Sequence, residues 1–409
     1  MRHEDADRQS TMPPLSDRPD GVRRRARRIV MIGTTPEGPG GISSVMRGLL
    51  QGPMKDQWPL DVLSTWVPGS SWQRARAFYR ALHVLWTQTA AGCVQAVHLH
   101  MAARGSFWRK RLITWPLPRE IRVIVHIHDG SLVRWHAQQP RWVRQTLVRF
   151  LERADAVIAL SERWAREWQT LAPRARIVVV QNAVEVPSPS AWHPPWMRPE
   201  GIDRWENTGL PRVLFLGRLT AEKGIGDLLL AAQGALLNRH PWQLILAGDG
   251  DRVGVQKRAR RLGLEAHIDL PGFLDAPAKH QALRAADVLV LPSLAEGQPM
   301  AVLEAMAWSV PVVATAVGDV PQLLQGGAGL SVPPGDPGAL MRAIQTILRD
   351  PPLAQRMGAQ GRAHVIRHHS PQSVARRLGA LYRDLGLDPL DIDACEPESN
   401  VREIRREEG

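Results

Sequence analysis

Short apolar segments alternate with helix-period stretches along most of this chain, and the alternation stops once and then starts again. Residues 28–33 run as an apolar strand into a glycine-rich loop, and 96–100, 122–128, 156–160 and 177–180 are further strand candidates. Between them, residues 141–153 have helical periodicity. Val143, Leu147, Phe150 and Leu151 share one face, and Arg141, Arg144 and Arg149 lie mostly on the other. Wholly apolar strands separated by amphipathic helices indicate a parallel sheet covered on both faces. From 187 to 211 the rhythm fails: six prolines and three tryptophans occur there without periodicity, as in an inter-domain linker. It resumes with strand candidates at 213–216, 244–247, 268–270, 288–291 and 310–314. The expected fold class is therefore α/β, with two Rossmann-like domains whose parallel sheets face each other across a cleft. The expected division is a basic tail at 1–27, a first domain at 28–187, a linker at 188–210 and a second domain at 211–366. A C-terminal helix at 367–386, crossing back to the first domain, and an acidic tail at 387–409 complete it.

Charge is distributed unevenly between these halves. The net charge of +12 divides into +13 up to Pro187 and −1 beyond it. A basic half calls for an anionic partner, whether nucleic acid, anionic lipid or a phosphorylated substrate. No nucleic-acid motif accompanies the charge, so nucleic acid is not an expected partner. Ten of the 15 tryptophans also precede Pro187, and Trp beside Arg suits a lipid headgroup region. The first thirty residues are charged and lack an apolar stretch, and no uncharged run approaches the roughly 20 residues of a spanning helix. A cytoplasmic protein, peripheral at the inner face of the plasma membrane, is expected. The two cysteines, Cys93 and Cys395, are too few and too far apart for a disulfide framework.

The chemistry-bearing residues gather in the second half. The strand at 213–216 ends at Gly217, and Arg218 and Lys223 follow before a helix opens near Gly224. Ligands of open α/β sheets bind beyond the C-terminal ends of strands, and two cations placed there suit a diphosphate. Gly248-Asp249-Gly250 and Pro271-Gly272-Phe273 are further loops after strands. The sharpest element runs from Pro292 to Ala307. Its loop carries Glu296 and Gly297, Pro299 stands where a first-turn helix proline is expected, and Glu304 follows about one and a half turns later. Free N–H groups in such a first turn are ready to meet a phosphate. Glu304, among Ala301, Val302, Leu303, Ala305 and Met306, needs a partner if it is buried.

Taken together, these residues resemble the retaining glycosyltransferases of family 4, which have the GT-B fold. The resemblance rests on Gly217-Arg218 with Lys223-Gly224, on Pro271-Gly272, and above all on Glu296 and Glu304 with seven residues between them, before Ala-Met-Ala. Pro311 to Thr315 and Gly318 to Pro321 continue it, with Asp319 where the family usually has a second glycine and Gln322 where it has Glu. In the first half, Gly40-Gly41, residues 154–161 and residues 180–184 also match, with Ala183 in place of a usual glycine. The resemblance implies that Arg218 and Lys223 bind the donor diphosphate, that Glu304 holds the ribose and that Glu296 faces the donor sugar. It further implies that Gly40, Gly41, Gly217, Gly272, Gly297, Gln298, Pro299 and Met300 line the donor, with His128 near the transferred sugar. No cofactor and no divalent metal are expected, because cations and a helix N-terminus neutralise the diphosphate.

For the acceptor, the stretch from His98 to Arg111 resembles that of bacterial exopolysaccharide glycosyltransferases that extend polyprenyl-diphosphate sugars, with Ser106, Arg109 and Lys110 as candidate contacts. The function expected is sugar transfer from a nucleotide-sugar, GDP-mannose or a UDP-sugar, to a lipid-linked saccharide. The rivals are another GT-B enzyme, epimerase or phosphorylase-like, and a non-catalytic membrane-associated scaffold.

Overall fold

The computed structural model describes residues 27–38, 41–67, 69–130, 132–188 and 209–390. Gly40, Cys395, nearly all of the expected linker and most of both expected tails lie outside the described residues.

The first half forms a six-stranded parallel sheet from β1 (Arg28–Thr34), β2 (Leu60–Trp66), β3 (Val94–Met101), β4 (Arg122–Ile127), β5 (Ala156–Ala159) and β6 (Ile177–Val179), in the order β2-β1-β3-β4-β5-β6. The second half forms another from β7 (Arg212–Leu216), β8 (Gln243–Ala247), β9 (Ile268–Gly272), β10 (Val288–Leu291), β11 (Val312–Thr315) and β12 (Gly329–Val332), in the order β12-β11-β10-β7-β8-β9. Both sheets reverse their strand order once, beside β1 in the first and between β7 and β10 in the second. Such reversals open the crevices in which α/β sheets bind ligands.

Every strand predicted from its apolar run is present, with ends shifted by one or two residues. The two strands not predicted, β2 and β12, are the outer strands of their own sheets. Asp61 and Ser64 interrupt β2, and β12 is the four-residue segment Gly-Leu-Ser-Val, so neither reads as a buried run. Each is only partly covered, and a half-covered strand need not be apolar throughout.

Helices fill the gaps between strands. In the first half these are α1 (Gly41–Gln51), α2 (Pro53–Gln57), α3 (Ser71–Ala90), α4 (Gly105–Thr114), α5 (Leu132–Ala137), α6 (Arg141–Arg153) and α7 (Glu162–Leu171). In α6 the predicted face is the buried one, formed by Val143, Leu147, Phe150 and Leu151. The second half contributes α8 (Ile225–Leu237), α9 (Arg252–Arg261), α10 (Ala276–Ala285), α11 (Met300–Ala307), α12 (Val320–Leu323), α13 (Pro337–Arg349) and α14 (Pro351–His368), followed by α15 (Pro371–Asp384).

The last helix belongs to the other half's core. Val374, Ala375, Leu378, Leu381 and Tyr382 of α15 are buried with Ile29, Met31, Trp58 and Ile124 of the first half. Trp58 and Tyr382 meet edge to face, with ring centroids 5.1 Å apart. Arg176 pairs with Asp384, and Gln95 exchanges hydrogen bonds of 3.0 and 2.7 Å with the Asp388 backbone. The chain thus passes between the halves twice, after β6 and again after α14.

Candidate active site

The sheet reversal of the second half lies between β7 and β10, and the sharpest sequence motifs leave those two strands. After β7, Gly217 donates its N–H to the Ala247 carbonyl at 3.0 Å, and a single 3-10 turn at Ala221–Lys223 leads to Gly224. Gly224 has φ 70°, and a Cβ there would lie 1.9 Å from the Pro292 carbonyl oxygen. Only glycine lets this loop lie against the end of β10. The Leu294 N–H donates to the Glu222 carbonyl at 2.8 Å and fastens the two loops together.

This packing places Lys223 against Glu296. The Lys223 Nζ lies 2.6 Å from Glu296 Oε1, and the Ser293 hydroxyl donates to the same oxygen at 2.6 Å. Glu296 is only 9% exposed at its side chain, so a carboxylate in so dry a place is held by a cation and a hydroxyl together. Arg218, exposed on the loop that leads from β7 to Lys223, makes no side-chain ion pair or hydrogen bond among the described residues.

The α11 N-terminus opens in the same crevice. Pro299 is its N-cap rather than its first-turn residue, with φ −73° and ψ 115°, and the helix begins at Met300. The expectation was out by one position, because Pro299 keeps an extended ψ and lies outside the first turn. No side chain caps this end, so its first N–H groups remain without protein acceptors. Glu304, further along α11, has the partner that its apolar neighbourhood required: Lys279 of α10 donates to its Oε1 at 2.7 Å. Gly272, at the end of β9, accepts the Gly248 N–H at 2.8 Å, which draws those two loops together.

Gln298 departs from its expected role at the level of the side chain. Its amide faces the first half: Oε1 accepts the Asn182 N–H at 2.9 Å and Nε2 donates to the Leu160 carbonyl at 3.0 Å. Only its backbone remains for a donor.

From the first half, the end of β4 comes up against this loop. A Cβ added at Gly297 would lie 3.7 Å from the Gly130 nitrogen and 3.9 Å from the His128 carbonyl oxygen. His128 is one of four stacked histidines. His98 and His100 alternate along β3, as His126 and His128 do at β4, so all four fall on one face of the sheet. His100 Nδ1 and His128 Nε2 are 2.9 Å apart, His98 Nε2 and His126 Nδ1 are 3.3 Å apart, and His98 Nδ1 meets the Tyr382 hydroxyl at 2.7 Å. Burial drives the pKa of His98 down to about 3, and burial with the neighbouring imidazoles drives His100 and His126 well below the usual range. His128, only partly covered at the strand end, is pushed the same way. His98, His100 and His126 bring ligand atoms within 4.8 Å of one another, as a metal site would require. Neighbouring rings lie within 15–35° of parallel, and the His98 Nε2–His126 Nδ1 contact occupies one nitrogen of each ring.

The acceptor candidates fare unevenly. Lys110 is not on the surface: it is 2% exposed and donates to the Thr65 hydroxyl at 2.8 Å, and its pKa falls to about 7 through burial and the nearby Arg109. It falls on the inner face of α4 beside Phe107 and Ile113, a placement that basic composition alone did not reveal. The Ser106 hydroxyl accepts the Ala102 N–H at 3.1 Å, while Arg109 stays half-exposed. Gly41 begins α1 with open space around its Cα. Ser293, Lys279 and the inner three histidines were not singled out as site residues; for the histidines the signal was present, in two His-x-His pairs on strands.

The chain was compared with known proteins. The family described as Glycosyltransferase Family 4 matches residues 40–186, and the family described as Glycosyl transferases group 1 matches residues 202–364. A phosphatidyl-myo-inositol mannosyltransferase of Mycobacterium leprae is 31% identical over 74% of this chain and 77% of its own length. An alpha-D-kanosaminyltransferase of Streptomyces kanamyceticus is 30% identical over 46% of this chain and half of its own length. Among solved structures, sucrose-phosphate synthase from Thermosynechococcus elongatus superposes with a TM-score of 0.72 at 21% identity, over 88% of this chain and 99% of that one. Anabaena Alr3699/HepE in complex with UDP and glucose superposes at 0.67 and 18% identity, over 87% and 99%.

Proposed function

The chain belongs to the family 4 glycosyltransferases of GT-B fold, and from that premise we propose that it transfers a sugar, with retention at the anomeric carbon, from a nucleoside-diphosphate sugar to a lipid-linked saccharide. The observation that carries this reading is the Lys223–Glu296 pair at the sheet reversal, between free Arg218 and the uncapped start of α11. An incoming diphosphate meets the α11 N–H groups and Arg218, and competes with Glu296 for Lys223. The leaving nucleotide is stabilised by those same fixed charges, so the reading needs no divalent metal. Once Lys223 has turned to the phosphates, Glu296 faces the sugar and orients it, while Glu304, steadied by Lys279, holds the ribose. His128 is neutral at pH 7 and acts as a hydrogen-bonding group near the sugar, not as a cation.

Lipid linkage of the acceptor is supported by the charge and surface of the first half. Between Asp61 and Glu120 there are eight cations and no acidic residue. Trp72 of α3, Trp115 just after α4 and Trp142 of α6 are exposed at 72%, 73% and 62%, with Trp86 and Trp108 also exposed. No helix among the described residues is long and apolar enough to cross a membrane. An Arg- and Trp-bearing outer layer suits contact with an anionic membrane surface. The mycobacterial relative, named for mannosyl transfer to phosphatidyl-myo-inositol, supports the same direction. A transfer assay with GDP-mannose and UDP-sugars, against polyprenyl-diphosphate-linked sugar, tests the reading. Release of sugar from the donor without any acceptor requirement contradicts it.

A further inference from the structure

A second set of contacts grips the donor loop from the other half of the molecule. Ser161 caps α7 by accepting the Trp164 N–H at 3.3 Å, and turns its own proton to Asp319 Oδ1 at 2.7 Å. Both residues are almost fully buried, at 3% and 2% exposure. Next to them, Arg163 donates to the Gly318 carbonyl at 2.8 Å. Gln298 supplies two further crossings, to Leu160 and Asn182. On the second half these contacts converge on one unit. Asp319 donates its N–H to the Gly297 carbonyl at 3.1 Å. Gly318 has φ 56°, and a Cβ there would stand 2.2 Å from the Glu296 carbonyl oxygen. Residues 318–319 are therefore seated directly on the loop that carries Glu296.

A carboxylate is an expensive group to bury here. Burial raises the Asp319 pKa, and Oδ2 makes no hydrogen bond that meets normal geometry. A residue kept at such a cost needs compensating contacts: the Ser161 hydroxyl is the main one, with the Trp164 side chain and the nearby Arg163 charge acting in the same direction.

We infer that Asp319, with Ser161 and Gln298, is a positioning residue that ties the Glu296 loop to the first half and holds the two halves at their working separation before any donor arrives. This inference rests on the donor-site reading above in assigning the loop its role, but the tie itself is independent of it. Loss of the tie frees the loop from the first half and widens the range of inter-half angles.

The test uses the full chain as parent, Ser161→Ala, Asp319→Ala and Asp319→Asn. Small-angle X-ray scattering without ligand is followed by calorimetric titration with UDP and with GDP. Ser161→Ala and Asp319→Ala should raise the radius of gyration and weaken nucleotide binding about fivefold, the scale of one hydrogen bond. Asp319→Asn keeps an acceptor oxygen for Ser161 and should stay near the parent in both readouts. Scattering and binding of both alanine variants that superpose on the parent would overturn the inference. If neither nucleotide binds even the parent, the donor reading fails, and scattering alone decides the tie. If Asp319→Ala does not fold, Arg163→Gln, which alters a half-exposed side chain, must expand the molecule in the same direction; unchanged scattering contradicts the tie.

Discussion

At the scale of residues, Lys223 and Glu296 hold each other in a nearly dry crevice, and that pairing sets what each substitution does. Removing Lys223 leaves a buried carboxylate with only Ser293 to hold it. Lys223→Ala should lower kcat/KM by about 100-fold or more, the scale of losing one preorganised charge at a developing anion, and a steady-state assay checks it. If protein cations do the neutralising, as proposed, activity should survive prolonged treatment with EDTA; loss of activity on chelation, restored by a divalent ion, would contradict this. The histidines make a separate prediction. Their folded pKa values lie below the unfolded value of 6.5, with His98 at about 3. Between those limits the unfolded chain binds more protons, so their stabilising contribution is complete above pH 6.5 and is lost as the pH falls through the window. At pH 5 His98, with its pKa near 3, should cost about 2 kcal/mol relative to pH 7.5, and His100 and His126 should shift stability in the same direction. Urea unfolding at the two pH values measures it, and equal midpoints would show that these imidazoles are not buried neutral.

At the scale of elements, α15 is the piece whose position local sequence explains least. A helix crossing back to the first domain is expected here, but its own pattern shows only an amphipathic helix with an apolar face and does not itself name the sheet that the face covers. The partners settle it: Trp58, His98 and Gln95 all lie more than 280 residues from the α15 and tail groups they meet. Tyr382→Ala should therefore destabilise the first half, although it lies in the C-terminal segment. The expected cost is about 3–5 kcal/mol, that of deleting a buried aromatic ring, read from urea unfolding. Strands β2 and β12 stayed illegible because Asp61 and Ser64 interrupt one and the other is the short segment Gly-Leu-Ser-Val; an edge position alone does not hide a strand, since β6 and β9 are also outer strands and are legible. By contrast, the inner strands and α6 were legible because burial on both faces, or along one helical stripe, writes an unbroken signal. Of the motif residues, the structure brings Lys223 and Glu296 together and gives Glu304 the partner its apolar setting called for. Ser161 with Asp319, and Lys110 with Thr65, were not legible, since such pairs depend on long-range packing.

At the scale of the whole molecule, a basic first half is joined to a near-neutral second half whose sheet reversal holds the proposed donor crevice. The division of labour predicts that membrane contact and donor binding separate. Vesicles containing anionic phosphatidylglycerol should bind the protein, phosphatidylcholine vesicles should not, and salt should weaken the binding. Trp115→Ala with Trp142→Ala should lower vesicle binding and leave nucleotide affinity unchanged; equal binding to both kinds of vesicle would remove the membrane from the account. The central claim is the metal-free diphosphate cradle, and calorimetric titration of GDP-mannose and UDP-sugars into metal-stripped parent and into Arg218→Ala/Lys223→Ala tests it most directly. The account predicts one-site binding to the parent and at least about a 100-fold loss in the double variant. Binding that needs a divalent ion, or that is equally tight in both proteins, would contradict it.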